Sequence, residues 1–266
     1  MPWHLKERFA SYSQAWEPII YGIWAVYAGA KKSFREGRYR DMFSMPSLQD
    51  SGFYLWFTTL NEHMVNFESN LTVLPTLVPT VSGVVLELGP GVGNQLCRFD
   101  KTKVTRVVGV EPNAHFAPDV ARNVAEHGLE GVYELLTCGI EDSDVLERHG
   151  IVAGSVDTIL SVQVLCSVAD PQSVVRELYR LLKPGGRLVF WEHHRSSDRA
   201  TVVAQYFWNP LWRRLIGGCN LTRDMKAIIG AAGPWENLDS LEGDEKEKPW
   251  GLMPRVWGEL VKPERT

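Results

Sequence analysis

The sequence has few cysteines, and their spacing does not indicate a metal site or a disulfide scaffold. Four cysteines occur among 266 residues, with no CxxC pair and no Cys/His spacing typical of zinc ligands. We therefore expect no bound metal ion, and buried free thiols in a reducing compartment. The four are Cys97, Cys138, Cys166 and Cys219.

A hydrophobic run long enough to cross a bilayer is also lacking. The apolar stretch from Pro18 to Ala30 is shorter than the roughly 20 residues that a transmembrane helix needs. It has neither the cleavage site nor the charge order of a signal peptide. We expect a buried or cap-forming helix there, in a soluble cytoplasmic protein, with peripheral membrane contact as the alternative.

Excess positive charge is the third feature that the sequence does not have. The formal net charge of -4 provides no basic field for phosphate backbones, so a nucleic-acid partner is disfavoured and a small organic molecule fits better. A hydrophobic content of 44% with 23% charged residues is ordinary for a globular protein. The length suits one α/β domain with a sizeable core.

The pattern of residue types along the chain changes near residue 80. Residues 1–80 are rich in aromatics and show no strand-like run followed by a turn, which predicts a helical cap. Apolar residues recur every three or four positions between Leu55 and Leu74, and Pro75 and Pro79 end that helix. We expect residues 81–266 to form the core of the same compact domain, with an aromatic insertion around residues 200–217.

From Val84 onward, short β-branched runs alternate with helical stretches, a pattern typical of βαβ units and a parallel sheet. The predicted strands are Val84–Leu88, Val107–Glu111, Tyr133–Thr137, Val156–Val162, Arg187–Glu192 and Arg255–Val261. The predicted helices are Asn94 to Arg98 onward, Phe116–His127, Asp142–Arg148 and Pro171–Leu182. Asp170 is the expected N-cap of the last helix, and Lys183 to Gly186 its stop. The charged stretch from Glu242 to Lys248 is predicted to be a solvated loop.

A glycine-rich turn directly follows the first predicted strand. In the run from Val85 to Asn94, glycines permit turn dihedrals and let the backbone approach a ligand without a Cβ in the way. An acidic residue, Glu87, precedes the first glycine and would repel the pyrophosphate of a dinucleotide. It would attract the cationic cofactor S-adenosylmethionine (SAM), and Glu111 lies where a carboxylate accepts ribose hydroxyls. The remaining residues predicted around this turn are Gly89, Pro90, Gly91, Gly93, Asn94, Pro112 and Asn113.

Two later segments are predicted to contact the same cofactor. Gly139, Ile140 and Glu141 follow the third strand, where a loop could present amides and a carboxylate to an adenine edge. Val162, Gln163 and Cys166 leave the fourth strand at the carboxyl edge, where open α/β sheets bind ligands.

Several short motifs identify a family. They are Asn61-Glu62-His63-Met64, Glu111-Pro112-Asn113, Val164-Leu165-Cys166-Ser167-Val168, Leu182-Lys183-Pro184-Gly185-Gly186, Trp191-Glu192-His193 and Gly218-Cys219-Asn220-Leu221-Thr222-Arg223. With these motifs the chain resembles the class I SAM-dependent methyltransferases, and within them the alkyl thiol methyltransferases. The resemblance implies a Rossmann-like, seven-stranded, mostly parallel sheet with helices on both faces and an antiparallel last strand. It also implies SAM bound over the first two strand ends, S-adenosylhomocysteine as product, and a small lipophilic thiol as acceptor.

Three histidines are candidate bases for methyl transfer. The reaction is an in-line displacement, so a base matters only if the acceptor has a high pKa. His193 is the first candidate because it lies in a resembling segment, followed by His194 on the opposite strand face and by His63 in the cap. Either sulfur or oxygen acceptors are compatible with these residues.

Aromatic side chains are predicted to form an apolar wall for the acceptor. They are Trp56, Phe57, Tyr206, Phe207, Trp208 and Trp212.

Other functions fit part of the same pattern. A methyltransferase fold can act as a cyclase or pericyclase that keeps SAM without transferring its methyl group. A non-catalytic SAM-binding subunit is less compatible because Glu87, the glycine turn and Glu111 are intact. A nicotinamide-dependent reductase is less compatible because an acidic residue ends the strand before the turn. The pattern leaves the oligomeric state open.

Overall fold

The computed structural model describes residues 5–246, 248 and 250–264. Four helices precede the first strand: α1 (Leu5–Ser13), α2 (Trp16–Arg35), α3 (Met45–Leu71) and α4 (Leu74–Leu77). Ser44 caps α3, since its side chain accepts a hydrogen bond from the amide of Ser47, and Pro46 follows in the first turn. The helix predicted from Leu55 therefore begins ten residues earlier. None of the helices in the described ranges combines the length and apolar character that a bilayer span requires.

Seven strands of the described chain form one sheet in the order β3-β2-β1-β4-β5-β7-β6. Its strands are β1 (Gly83–Leu88), β2 (Val104–Val110), β3 (Tyr133–Leu136), β4 (Val156–Val162), β5 (Leu182–His193), β6 (Glu242–Gly243) and β7 (Arg255–Val261). The first five strands pair in parallel, whereas β7 is antiparallel to both β5 and β6. This architecture confirms the predicted fold class.

Helices cover both faces of the sheet. They are α5 (Ala117–Glu126), α6 (Ser143–Arg148), α7 (Pro171–Leu181), α8 (Arg199–Leu215) and α9 (Met225–Gly230). Alternation along β1 sends Leu86 into one apolar cluster with Leu178 of α7, and Val85 into another with Val120 of α5. Strands buried on both faces are what a parallel sheet requires. The carboxyl ends of β1, β2, β4 and β5 therefore meet at one edge.

A third apolar cluster joins the cap to α8. Ile19 of α2 and Trp56 of α3 pack there with Trp212 of α8. Small residues allow the helices to approach: a Cβ on Gly52 would lie 3.2 Å from the Cα of Val26. The cap is thus packed onto the carboxyl edge of the sheet.

Two predicted elements were wrong. The helix expected after the glycine turn is only a 3-10 turn, Leu96–Arg98, because few residues separate Asn94 from β2 and Asp100 begins a further turn. The charged stretch from Glu242 is not purely a loop, because Glu242–Gly243 form β6 at the sheet edge. In contrast, Asp170 does cap α7, accepting from the amide of Ser173 at 3.1 Å.

Candidate functional site

The glycine turn and the tip of β2 are joined by one carboxylate. Oε2 of Glu111 accepts a hydrogen bond from the amide of Gly91 at 3.1 Å, and Oε1 accepts from the amide of Asn113 at 2.9 Å. Gly89 has φ 50° and Gly91 φ 58°, a region that favours glycine. A Cβ on Gly89 would lie only 2.7 Å from Cγ2 of Val164, so the close approach of β4 requires a glycine as well.

A second carboxylate lies buried below the turn. Glu87 is 2% exposed, and its Oε2 accepts a hydrogen bond from the phenol of Tyr133 at 2.6 Å. Burial raises the pKa of Glu87, the hydrogen bond from Tyr133 lowers it, and the nearby charge of Glu111 raises it. The resulting pKa is about 7. A cationic ligand would favour the ionised form of this group.

A cavity of about 390 Å³, which we call the cofactor cavity, opens at this edge of the sheet. Ten residues predicted to contact the cofactor line it: Glu87, Gly89, Pro90, Gly91, Asn94, Glu111, Pro112, Asn113, Val162 and Gln163. Two carboxylates and a turn with glycine at positions 89, 91 and 93 fit the ammonium and sugar of SAM. They do not fit a pyrophosphate.

Five predicted cofactor residues lie elsewhere. The amide of Gly139 is already bonded to Oδ2 of Asp142 at 2.8 Å, Ile140 packs in the core, and Glu141 is exposed. None of these three lines the cofactor cavity, and neither does Gly93. The contact of this loop with an adenine therefore stays a prediction. Cys166 lines a second cavity instead.

The cap contributes cofactor-cavity residues that the sequence did not single out. Asp50, Phe53 and Glu68 of α3 line the cavity. The helix is tied to the glycine turn by Gln95, which donates to Glu68 at 2.9 Å, and by Asn94, which donates to Asn61 at 2.9 Å. Polar positions on a helix look alike in sequence, so only the Asn61 motif pointed to this contact. Arg213 and Arg214 at the end of α8 also line the cavity and were missed.

The second cavity has a similar volume, about 390 Å³, and adjoins the first. Phe53, Phe57 and Gln163 line both cavities. Its walls are mainly apolar, formed by side chains of α3 and α8: Trp56, Leu60, Met64, Phe67, Trp212 and Ile216. A small lipophilic molecule would therefore lie next to the cofactor.

The aromatic wall is only partly as predicted. Trp56, Phe57 and Trp212 line the second cavity, whereas Tyr206 is 59% and Phe207 74% exposed. Trp208 is buried but lines neither cavity, because its ring packs edge-on against Trp16 at 4.9 Å. Residues 199–215 form one helix, so its period carries Tyr206 and Phe207 to the outside while Trp212 faces inward.

The three histidines occupy different environments. His193 lines the second cavity, and its Nε2 lies 2.9 Å from Nε2 of Gln163. Gln163 has φ 58°, a strained conformation that clusters at functional sites. His63 also lines this cavity but is exposed. His194 lies on the other strand face, where its Nδ1 accepts from the amide of Met225 at 3.2 Å and burial lowers its pKa.

Glu192, the residue before His193 in β5, anchors the loop after β4. It is fully buried and accepts hydrogen bonds from Ser161 and from the amides of Val164, Leu165 and Cys166. Burial raises its pKa, and these hydrogen bonds lower it. Glu192 therefore fixes the position of Cys166, and both of its carboxylate oxygens are occupied by these hydrogen bonds.

The fold brings two cysteines against His193. Nδ1 of His193 lies 3.3 Å from Sγ of Cys219 and 3.7 Å from Sγ of Cys166. Both cysteines are buried, as is Cys138, but Cys97 is exposed, contrary to expectation. The spacing in sequence gave no hint of this cluster, because its members follow β4, end β5 and follow α8.

The motif from Gly218 to Arg223 explains how the cluster is held. The amide of Asn220 donates to the carbonyl of Cys166 at 2.9 Å. The guanidinium of Arg223 donates to the carbonyls of Leu165, Cys166 and Val168 at 2.9, 2.7 and 2.6 Å. The motif thus clamps the loop after β4 onto the turn after α8.

Comparisons with known proteins agree with this geometry. The family model described as "Methyltransferase domain" matches residues 86–190. The chain is 30% identical to thiol S-methyltransferase TMT1A of Homo sapiens over 67% of this chain and 70% of that protein. It is 28% identical to thiol S-methyltransferase TMT1B of Rattus norvegicus over 65% of each chain, so the match spans slightly under two thirds of that relative.

A solved structure shows the same fold. An O-methyltransferase family protein from Burkholderia thailandensis superimposes with a TM-score of 0.59 at 15% identity, covering 94% of this chain and 72% of that one. The likeness shows the fold, and the methyltransferase family model and the methyltransferase relatives show that SAM is the cofactor. The chain therefore belongs to the class I SAM-dependent methyltransferases, in the branch of the alkyl thiol methyltransferases.

Proposed function

We propose that the protein transfers the methyl group of SAM to the sulfur of a small, largely apolar thiol. The observation that carries this proposal is the apolar second cavity, which shares Phe53, Phe57 and Gln163 with the cofactor cavity. Its occupant would lie against the cofactor without an intervening wall. The thiol methyltransferases among the relatives support sulfur as the acceptor atom.

The cofactor cavity is lined by acidic side chains for the ammonium and ribose groups of SAM and by basic side chains for its carboxylate. SAM supplies an electrophilic methyl group on a sulfonium ion. Glu87 is positioned to attract its ammonium group, and Glu111 to accept its ribose hydroxyls. Arg213 and Arg214 line the same cavity and would pair with its carboxylate.

The residues of the second cavity favour a thiol over an alcohol. A thiol with a pKa of about 8.5 supplies thiolate near neutral pH, whereas an alcohol requires a strong base within reach. The carboxylate nearest His193 in sequence, Glu192, is occupied by four hydrogen bonds and faces away from the cavity. His193 is the candidate catalytic group, and His63 lies where a released proton would reach solvent.

The test is methyl transfer from isotopically labelled SAM to matched acceptors. An alkyl thiol, an alcohol and a phenol of similar size are incubated with the protein, and products are identified by mass spectrometry. We expect a labelled thioether from the thiol and little product from the alcohol. Methylated phenol alone would establish an O-methyltransferase, and a rearranged product with intact SAM would establish a cyclase.

A variant locates the acceptor. Leu60 lines only the second cavity, so Leu60→Trp should fill it and raise the KM for a bulky thiol about tenfold while sparing SAM affinity, since cavity fit is worth a few kcal/mol. Phe207→Ala is the matched control, because that side chain is exposed. Equal effects of both variants, or none of either, would contradict this location.

We infer peripheral contact with a membrane surface and residence in a reducing compartment such as the cytoplasm. The outer face of α2 exposes large apolar side chains: Trp16, Ile20, Ile23, Trp24 and Tyr27. Lys31, Lys32 and Arg35 follow on the same helix, a combination that suits an anionic lipid surface. The free, closely spaced thiols of Cys166 and Cys219 support a reducing environment.

A further inference from the structure

The cluster of Cys166, His193 and Cys219 has the composition of a metal site. Two sulfurs and one imidazole nitrogen lie within 4.8 Å of one another and come from three different elements. Thiolate and imidazole ligands together select zinc among common divalent ions. The Cys₂His set with one open position is one of the arrangements found in catalytic zinc sites.

The two sulfur–nitrogen distances in this cluster match tetrahedral zinc. With bonds of about 2.3 Å to sulfur and about 2.0 Å to nitrogen, a tetrahedral ion separates sulfur from nitrogen by about 3.6 Å. The two distances in the structure, 3.3 and 3.7 Å, lie on either side of that value. Little movement would therefore be needed to bind the ion.

Neighbouring side chains hold two of the three ligand residues in place. A metal-bound histidine donates its other ring N–H to an acceptor, and a half-turn of the Gln163 amide places its oxygen 2.9 Å from Nε2 of His193. Cys166 is held at its amide by Glu192 and at its carbonyl by Arg223. The ligand positions are thus fixed before any ion binds.

A buried donor points to a negatively charged ligand here. Trp212 is only 3% exposed, and its indole N–H has no hydrogen-bond acceptor in the described part of the chain. The side chain lines the same cavity as Cys219. A thiolate ligand at Cys219 would provide the acceptor that this N–H lacks.

We propose that Cys166, His193 and Cys219 bind a zinc ion whose fourth position faces the second cavity and takes the sulfur of the acceptor thiol. The proposal rests on the proposed function insofar as the acceptor is a thiol. All three ligands line that cavity, so the open position lies on its inner side. Two thiolates neutralise the ion, and the guanidinium of Arg255, which pairs with Asp244 at 3.4 Å, lines the same cavity.

The reaction then proceeds with a metal-held nucleophile. On binding zinc the acceptor thiol loses its proton to solvent, because a coordinating thiol is deprotonated. A sulfur electron pair of the acceptor forms the new bond to the methyl carbon, and the methyl–sulfonium bond breaks with its electrons on the departing sulfur. The products are a thioether, S-adenosylhomocysteine and the released proton, and the neutral thioether leaves zinc readily because it is a weak ligand.

The experiment measures metal binding directly. The full chain is treated with a chelator, reduced with a phosphine and titrated with zinc against a chromophoric chelator. We expect about one equivalent to bind, and cobalt in its place to give sulfur-to-metal charge-transfer bands. An alkyl thiol should alter the cobalt spectrum, whereas an alkyl alcohol of the same size should not.

Variants assign the ligands and separate this proposal from the proposed function. Cys166→Ser and Cys219→Ser should lose most zinc affinity while retaining affinity for S-adenosylhomocysteine in calorimetry, which shows that they are folded. Cys138→Ser and Cys97→Ser are matched controls that should bind zinc like the parent. If either serine variant fails to fold, the thiol-dependent cobalt spectrum of the unmodified chain decides the matter.

The outcomes are distinct. A chain that methylates thiols but binds no zinc, or gives no charge-transfer bands with cobalt, overturns the zinc site and leaves the proposed function standing. A chain that binds zinc through these cysteines but does not methylate thiols overturns the proposed function alone. A disulfide between Cys166 and Cys219 that survives reduction would also overturn the zinc site.

Discussion

Glu87 shows how burial and a ligand charge oppose one another at a single residue. The carboxyl lies below the glycine turn in a buried position, and its pKa is raised to about 7. A neutral carboxyl offers a cation little attraction, so SAM affinity should depend on its ionisation. The group is neutral below its pKa and charged above it, which makes binding stronger as pH rises.

We therefore predict that SAM affinity falls about tenfold between about pH 7 and about pH 5.5. Glu87→Gln should bind SAM more weakly and lose this dependence, as measured by titration calorimetry across that range. Glu134→Gln is the control, because Glu134 pairs with Arg106 away from the cavity and should leave the slope unchanged. A parent protein whose affinity is flat with pH would show that Glu87 does not meet the cationic cofactor.

The carboxylates at the site could be found from sequence, whereas the thiol cluster could not. Glu87 and Glu111 stand next to a glycine turn at fixed spacing, and local spacing is visible in a sequence. Cys166, His193 and Cys219 are 26 or 27 residues apart in order and meet only through the packing of three elements. Tyr206 and Phe207 were misassigned for a related reason, since the direction of α8 relative to the cavity is a tertiary property.

At the scale of elements, the loop after β4 depends on a clamp from outside the sheet. Three carbonyls of this loop accept from Arg223. Arg223→Met keeps the length of the side chain but removes the donor to the carbonyls of Leu165 and Val168, and it leaves the carbonyl of Cys166 with the amide of Asn220 alone. We expect the free energy of unfolding to fall by about 2 kcal/mol in urea titrations, because charged hydrogen bonds are worth more than neutral ones.

Arg195→Met provides the comparison for that clamp. Arg195 makes one ion pair with Asp224 at 3.0 Å, with both side chains substantially exposed, so its loss should cost less than about 1 kcal/mol. Similar losses for the two variants would mean that Arg223 is an ordinary surface cation rather than a clamp.

Local signals decided which elements were predicted correctly. Asp170 and Pro171 form a helix start that needs no tertiary partner, and α7 begins there. The helix expected after Gly93 was wrong because the glycine turn is instead packed against α3, which supplies Glu68 and Asn61 to it. Only residues 95–103 lie between Asn94 and β2, and they include a turn at Asp100. This connection is too short for both a helix and the contact with α3.

At the scale of the whole molecule, the parallel sheet was predictable and the attachment of the cap was not. Alternating short strands and helices fix a βαβ order, and the family motifs added the antiparallel edge. The contacts of α1, α2 and α3 with α8 join segments that are far apart in the sequence, and the bond from Arg8 of α1 to Asp198, the residue before α8, spans 190 residues. No local pattern specifies such contacts.

The cap places an apolar outer surface next to the second cavity, the proposed site of the acceptor. Glu17 and Pro18, at the start of α2, line the second cavity, while Ile23 and Trp24 are about half exposed on the outer face of the same helix. Val203, Phe207 and Leu211 of α8, which packs against α2, are exposed at helical spacing as well. A lipophilic thiol dissolved in a bilayer would thus meet the protein close to the site where it reacts.

We predict that the protein sediments with vesicles containing phosphatidylserine. Ile23→Glu with Trp24→Glu should reduce the bound fraction about tenfold, because the pair loses two exposed apolar side chains that would insert into lipid and adds two negative charges that an anionic surface repels. Neither substitution touches the cofactor cavity, so affinity for S-adenosylhomocysteine should persist. Val152→Glu, an exposed apolar residue beyond α6, is the matched control and should leave vesicle binding intact. If the parent chain stays in the supernatant at low salt, the outer face of α2 does not bind lipid, and the acceptor must reach the second cavity from water.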